Sequence, residues 1–579
     1  MTRNPFVPTQ LCELPAVNEP RCLGWTGTLL VLAFGGTLLG ICLGSTRVLT
    51  FHEVIFAQPA REMLATGDWL MPRFAGVPST HKPPLTHWLI AASMALTGQR
   101  GGEWAPRLAI LAVSLLTAWL VASLAASWHG RRVGLAAGMV QCSAFYVLMQ
   151  ARLAEADMVL CAAVTAALYC FARAVLDEDQ SLWSRRAWTW SMYACAGLAF
   201  LTKFVIGPAF VFGACVVYAL WRREKQALRP LLSPVGWVVL LAVALPWPIL
   251  AWRAHPPILD DWITHNVLRF SGRMKGRNEP WLYFLYMAPA ILLPWTPWLL
   301  GAIWYGGVRQ RLLAERRWAL AMSWFLAGLL GLSLSAYKSK HYIIPAMPGL
   351  SILCGWFLVQ DAWGHVSPRL RPAVVGGVVA VACLAGGVAV WQLRPELIPE
   401  TLVLIGLVGG AVLLAVFHDA RRRPVATLAS LFSAFWLVGV GVQCFVIEHF
   451  DSYRHLAELG QEVAAGMRQR QPGRPGEDLV LLGLPEDQIT YYLPLGITRV
   501  DHFKALRALW LSRRPHRLYV VARQHNRDKL AALGRVEVLA TARTVRPPHR
   551  GQGPVTWMLL ERRALPSPAS RSASGPIPG

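Results

Sequence analysis

Glu53 and Asp157 are the two carboxylates in this chain best placed to do chemistry. Glu53 follows the first long apolar stretch. Asp157 opens another, after Arg152-Leu153-Ala154-Glu155-Ala156. A carboxylate at such an edge can take up a proton, bind a hydroxyl or orient an acceptor. An ionisable group in or beside a membrane span is a functional candidate by default. His52, next to Glu53, accepts a proton near neutral pH and is the third catalytic candidate. Plainer roles compete. An Asp in the first turn of a helix also caps it, and His52-Glu53 would serve as an interfacial capping pair.

The cations form the second set: Lys82, Lys203, Arg269, Lys338 and Lys340, with His341 beside the last. Fixed cations in a low-dielectric site stabilise negative charge that develops on a reacting group. Taken singly, each lysine has snorkelling to the interface as its alternative. Taken together on one membrane face, they ask for a functional reason. No cysteine spacing suggests a metal site, and the residues name no certain cofactor.

The elements that must position these groups are membrane helices. Of 579 residues, 55% are hydrophobic and only 15% charged, below the charge of a soluble chain. A span needs about 20 apolar residues. About thirteen such stretches begin near Gly24, Leu108, Val133, Asp157, Ala187, Phe204, Pro234, Leu282, Trp318, Tyr342, Ala373, Thr401 and Ala426. The net charge of +24 does not indicate nucleic acid, because the basic residues recur in alternate loops. They are Arg131-Arg132, Arg185-Arg186, Arg222 to Arg229, Arg309 to Arg317, Arg369 to Arg371 and Arg421 to Arg423. That alternation is the positive-inside pattern and puts the N-terminus in the cytoplasm. Thirteen spans then put the C-terminal region outside. No signal-cleavage pattern precedes the first span, which reads as a retained anchor.

The expected fold is an all-α polytopic membrane protein with a small C-terminal α/β domain. Residues 1–23 are a cytoplasmic tail, 24–448 the membrane domain, 449–565 the outer domain and 566–579 a disordered Ser/Pro/Gly tail. Leu479 to Leu482 and Leu518 to Val521 read as buried strands, and His455 to Arg468 and Lys504 to Leu511 as helices. Val54 to Ala65 and Leu85 to Leu96 read as amphipathic segments lying on the outer face. The eleven cysteines fall in the N-terminal tail or the spans and read as small apolar residues, not as a disulfide framework.

The order of motifs resembles the polyprenyl-phosphate-sugar glycosyltransferases of family 39, in the GT-C class. That family has an acidic pair after the first span and Lys-Pro-Pro-Leu about 30 residues later; here these are His52-Glu53 and Lys82 to Leu85. The family's usual Asp is His52, and its following Arg and Tyr are Ile55 and Phe56. Arg152 with Asp157-Met158 fits its Arg…Leu-Asp-Met, with Ala156 for Leu. Lys203 with Gly207-Pro208 fits its Lys-Gly-Pro turn, with Phe204 intruding. Lys338 with Tyr342 and Pro345 fits Lys-x-x-x-Tyr-x-x-Pro. Arg269-Phe270 with Glu279-Pro280-Trp281-Tyr283 fits a family loop that lacks its His here, and Pro294-Trp295-Thr296 is a further match. The resemblance covers roughly residues 25 to 450, and the whole layout is similar to the bacterial aminoarabinose lipid A transferases within the family.

The resemblance implies an inner-membrane enzyme whose donor is a sugar on undecaprenyl phosphate. Lys82, Lys203, Arg269, Lys338 and Lys340 would meet the donor phosphate, while Arg152, His341, Tyr342 and Trp88 would line the substrate site. Glu53, Asp157 and His52 would carry catalysis. The acceptor, most simply lipid A, would attack the anomeric carbon with inversion outside the membrane. An acceptor phosphate is already ionised, which makes the Asp-to-His change tolerable. A protein O-mannosyltransferase stays open as an alternative, although its neutral hydroxyl acceptor needs a base more. A polytopic transporter or non-catalytic sugar-binding membrane protein also stays open, although a transporter should show paired repeats and charge at mid-depth.

Overall fold

The computed structural model of the protein describes residues 20–44, 48–79, 82–98, 102–264, 271, 279–309, 315–362, 387–388, 397–446, 454–470, 479–482, 488–500, 502–512, 518–532, 536–543 and 556–562. The chain opens with α1 (Gly24–Gly40), then an extramembrane stretch holding α2 (Phe51–Thr66), a small hairpin β1 (Arg73–Phe74) and β2 (Val77–Pro78), and α3 (Leu85–Thr97). The helical body follows as α4 (Trp104–His129), α5 (Arg131–Ser143), α6 (Phe145–Gln150), α7 (Ala156–Leu176), α8 (Leu182–Lys203) and α9 (Ile206–Arg222). It continues through α10 (Pro234–Ala244), α11 (Pro246–Ala254), α12 (Ile258–Trp262), α13 (Tyr283–Ile291), α14 (Thr296–Gly301), α15 (Arg316–Ser333), α16 (Met347–Ala362), α17 (Ile398–Ala420) and α18 (Pro424–Gly441).

Twelve of the thirteen expected apolar stretches coincide with a helix or helix pair; the one near Ala373 lies outside the described residues. Length and apolarity single out six spans among the described residues, and a seventh if the bent pair Tyr283–Ile291 and Thr296–Gly306 is one. The count is lower than thirteen because several stretches are short or broken. The stretch near Val133 divides at Ala144, and the pair at Tyr283 turns by 116° around Pro294. A proline there removes an N–H and frees carbonyls, and the Thr296 hydroxyl donates to the Pro289 carbonyl across the bend.

Local sequence explains several of the helix ends. Thr50 and Glu53 form a reciprocal capping box at the start of α2, and Gly67, at φ 74°, ends it. Ser181 caps α8 by accepting from the Ser184 N–H at 3.1 Å. Inside the body the helices approach closely through glycine. A Cβ on Gly355 of α16 would lie 2.5 Å from the Ala137 nitrogen of α5, and one on Gly349 would lie 2.3 Å from the Ala321 oxygen of α15. Membrane helices without a strong hydrophobic drive between them depend on such approach.

Beyond the body, α19 (Arg454–Arg470), α20 (Gln488–Tyr492), α21 (Phe503–Ser512) and α22 (Arg527–Ala531) accompany a five-stranded sheet. Its strands are β3 (Leu479–Leu482), β4 (Thr498–Val500), β5 (Leu518–Arg523), β6 (Val536–Arg543) and β7 (Thr556–Arg562), in the order β4-β3-β5-β7-β6. β3 pairs in parallel with β4 and β5, while β7 is antiparallel to β5 and β6. The two expected strands and two expected helices are present; β4, β6 and β7 were not foreseen. The domain borders at 448/449 and 565/566 lie outside the described residues.

This sheet domain is seated on the first loop. Arg61 donates to the carbonyls of Tyr491 and Leu493 at 2.7 and 2.9 Å, and the Leu49 N–H donates to the Tyr492 hydroxyl at 2.9 Å. Phe74 and Ala75 of the hairpin pack with Leu459, Val463 and Leu479. Glu62 holds the hairpin turn by accepting from the Ala75 and Gly76 N–H groups at 2.7 and 3.0 Å. The segment Val54 to Ala65 therefore does not simply lie on a membrane face. As α2 it is buried between the body and the sheet domain, polar Gln58 and Glu62 included. Gly355→Ala should lower stability by about 1–3 kcal/mol through overpacking. Gly406→Ala on α17, where a Cβ meets nothing within 4 Å, should not; thermal unfolding of the detergent-solubilised protein separates the two.

Candidate active site

Asp157 sits in the first turn of α7 and is 4% exposed. Its Oδ1 accepts from Lys203 Nζ at 2.6 Å, and its Oδ2 lies 4.0 Å from His341 Nε2. Lys203 is the last residue of α8, and His341 belongs to the 3-10 turn Lys340–Ala346 that leads into α16. The Lys203 ammonium stands 5.0 Å from the Tyr342 ring centroid, and the His341 and Tyr342 rings meet edge to face at 4.9 Å. Lys82 is half-buried, and its charge acts on both Asp157 and His341. His52, exposed at the start of α2, acts on His341. Tyr146 of α6 lies in the field of Asp157 and beside Tyr283. The sequence reading missed Tyr146; it named Tyr283 only within the family-loop match.

The residue after Lys203 is under backbone strain. Phe204 has φ 51° and ψ −139°, a region glycine enters freely and other residues enter at about 1–3 kcal/mol. The ring offsets that cost by packing against Phe200, Trp247 and Trp262 at centroid distances of 5.7, 6.4 and 5.2 Å. The turn that aims Lys203 is thus held by an aromatic cluster in place of a glycine.

Glu53 is fully buried, and both of its oxygens are engaged. Oε1 accepts from Arg107 Nε at 2.7 Å and from the Ala154 N–H at 3.1 Å. Oε2 accepts from the Thr50 N–H at 2.8 Å and Arg107 Nη2 at 3.2 Å. Arg107 also donates to the carbonyls of Leu43 and Val48 at 2.9 and 3.1 Å. One carboxylate therefore ties α2 and α4 to the turn that precedes Asp157. Arg107 was not foreseen, since nothing in its local sequence marks its partner.

Three other expected site residues are also turned to the scaffold. Arg152 donates to the Leu39 and Cys42 carbonyls at 2.6 and 3.1 Å, a cation at the C-terminal end of α1. Lys338 donates to the carbonyls of Ser335 and Glu279 at 2.5 and 3.1 Å, joining two loops. Trp88 donates to the Trp69 carbonyl at 2.9 Å and packs beside Met71 and Trp247. Lys340 is exposed next to His341, and Arg269 lies outside the described residues. The structure thus brings together Asp157, Lys203, His341 and Tyr342, with Lys82 and His52 near them. It sets Glu53, Arg152, Lys338 and Trp88 in the surrounding frame.

Comparison with known proteins bears on this arrangement. The profile of the dolichyl-phosphate-mannose-protein mannosyltransferase family matches residues 81–252. The undecaprenyl phosphate-alpha-4-amino-4-deoxy-L-arabinose arabinosyl transferase of Pseudomonas aeruginosa is 30% identical over 480 residues, which is 77% of this chain and 84% of the relative. The chain belongs to this transferase family. A second relative of the same name, from Pseudomonas fluorescens, is 26% identical over 462 residues, 76% of this chain and 81% of its own. The fold is shared with the crystal structure of ArnT from Cupriavidus metallidurans bound to undecaprenyl phosphate, with a TM-score of 0.77 and 22% identity over 96% of this chain and 100% of that one. The apo structure of that protein gives a TM-score of 0.71. This arabinosyl transferase family member is a multi-pass membrane glycosyltransferase of GT-C type.

The Glu53–Arg107 pair generates a prediction. Removing one partner leaves the other charge buried and uncompensated, at a cost of about 3–5 kcal/mol. Arg107→Met alone should lower the thermal midpoint strongly. Glu53→Gln with Arg107→Met should recover part of the loss. An unchanged midpoint in the single variant would show that the pair does not hold the frame.

Proposed function

We propose that this protein moves an amino sugar, 4-amino-4-deoxy-L-arabinose, from undecaprenyl phosphate to lipid A at the periplasmic face of the bacterial inner membrane. The sequence relationship to the Pseudomonas arabinosyl transferases carries the reading, and the Asp157–Lys203–His341 cluster supplies its chemistry. The alternating basic loops support a cytoplasmic N-terminus and a periplasmic sheet domain. The described residues of the site come from the segments that this topology places on the outer side.

In this reading the donor phosphate meets Lys203, Lys82 and Lys340, with its isoprenoid tail in the bilayer. An ionised acceptor phosphate attacks the anomeric carbon from the face opposite the donor oxygen. The new C–O bond forms as the anomeric carbon–phosphate oxygen bond breaks, and undecaprenyl phosphate leaves with the electron pair. Charge growing on that oxygen is stabilised by the fixed ammonium groups, which require no reorganisation at the moment of transfer. Asp157 holds Lys203 and faces His341, so it orients the cations and stays available to the sugar. Glu53, Arg152 and Lys338 act by positioning: their polar atoms are engaged by the scaffold. His52 replaces the usual family Asp at the rim, where a phosphate acceptor needs no strong base.

Two outcomes test this. Lipid A from cells carrying the gene should gain the mass of an aminoarabinose residue, and cells lacking it should not; sugar on protein hydroxyls instead would reassign the acceptor. In a purified assay at limiting donor, Lys203→Ala should lose one charge-assisted contact of about 1.5–3 kcal/mol, roughly a ten- to hundredfold drop in kcat/KM. Lys338→Ala should act mainly on the thermal midpoint. Full turnover by Lys203→Ala would remove this lysine from the donor site.

A further inference from the structure

Cys42 and Cys444 are 402 positions apart in sequence, yet their sulfurs lie 3.3 Å from each other. Cys42 follows the end of α1, and Cys444 lies in the π-helical turn Val442–Val446 that continues α18. We propose that these two thiols form a redox-reversible disulfide that staples the first membrane helix to the last described one. The inference rests on the orientation proposed above, which places both at the periplasmic edge, where disulfides persist.

The approach is built by the surrounding fold. Cys42 has φ 52°, a left-handed conformation, and its carbonyl is held by Arg152 at 3.1 Å. α1 and α18 are locked side by side just below it: Trp436 Nε1 donates to Thr37 Oγ1 at 3.1 Å, and Gly439 faces Leu38 so closely that a Cβ would lie 2.5 Å from it. Both cysteines are half-buried, so a small or tethered disulfide can reach them. Bond formation asks each sulfur to move about 0.6 Å to reach a covalent S–S of roughly 2.05 Å. Cys170 and Cys195 also approach one another, but they lie about 12 to 21 Å down α8 and α7 from the outer ends at roughly 1.5 Å per residue. They serve as the internal comparison.

The step balances with a disulfide oxidant, either a protein disulfide of the compartment or oxidised glutathione. One thiolate attacks a sulfur of the oxidant, expels its partner thiolate and forms a mixed disulfide. The second cysteine then attacks, expelling the other thiolate, and the two protons from the cysteines pass to the leaving thiolates. The oxidant gains two electrons, and the protein gains one S–S bond.

The test uses the full-length protein in detergent, prepared without reductant, incubated with oxidised glutathione, denatured and trapped with N-ethylmaleimide. Peptide mass analysis should show the Cys42 and Cys444 peptides joined with the loss of two hydrogens, and no joined Cys170–Cys195 peptide. Cys42→Ser should leave Cys444 alkylated. Reduction should lower the thermal midpoint of the parent protein by several degrees and leave that of Cys42→Ser unchanged. In parallel, a Gly473→Cys variant is labelled with an impermeant maleimide in spheroplasts. Full alkylation of Cys42 and Cys444 with Gly473→Cys labelled overturns the staple and leaves the orientation standing. A protected Gly473→Cys overturns the orientation, and the staple falls with it.

Discussion

The buried contact between Glu53 and Arg107 ties together the chain segments that frame the candidate site at one end of the helical body. Through its two oxygens Glu53 joins the start of α2, the start of α4 and the Ala154 N–H in the turn before α7. Arg107 adds the chain between α1 and α2 through the Leu43 and Val48 carbonyls. Asp157 stands three residues after Ala154, so the position of the candidate-site carboxylate is inherited from this contact. Such a pair does not need to contribute much net stability to matter. In this geometry both buried charges are satisfied, and a shift of either partner would leave the other uncompensated.

The site itself is a meeting of helix ends. α7 begins at Asp157, α8 finishes at Lys203 and the turn before α16 brings His341 and Tyr342. An anion near the start of one helix and a cation at the end of another are each favoured by the local dipole, so the pair is compatible with both helices. The strain at Phe204 belongs to the same arrangement. An ordinary helix exit would carry Lys203 elsewhere, and the aromatic cluster behind Phe204 keeps the unusual exit in place.

Much of this was legible from residue types and sidedness. Asp157, Lys203, His341, Lys82 and His52 are scattered over almost 300 positions, yet the alternation of basic loops assigns their segments to one face, and there they converge. The family resemblance also located the Lys203 turn and singled out Phe204 as foreign to it. The roles of Glu53, Arg152 and Lys338 were not legible. A motif states that a charge stands at a membrane edge; it does not state which backbone carbonyl or distant guanidinium comes within 3 Å. The same limit applies to the sheet. β3 and β5 are uninterrupted apolar runs and announce themselves, whereas β6 and β7 carry Glu537, Arg543 and Glu561 and read as ordinary surface. Among the described residues, short helices and one bent pair keep the number of clean crossings below the number of apolar stretches.

The seat of the sheet domain on α2 carries a consequence for how the molecule is made. Arg61 is bound by carbonyls some 430 positions later in the chain. At a synthesis rate of about 5–20 residues per second, that face of α2 waits roughly 20 to 90 s for its cover. During that interval Arg61 and the hairpin at Phe74 and Ala75 lack the Tyr491, Leu493, Leu459 and Val463 partners that later cover them. The first loop is therefore an early-made surface completed by a late-made one. A ribosome that stops short of Tyr491 leaves the first loop with its Arg61 face and its Phe74 hairpin uncovered, an exposed surface that the finished chain does not present.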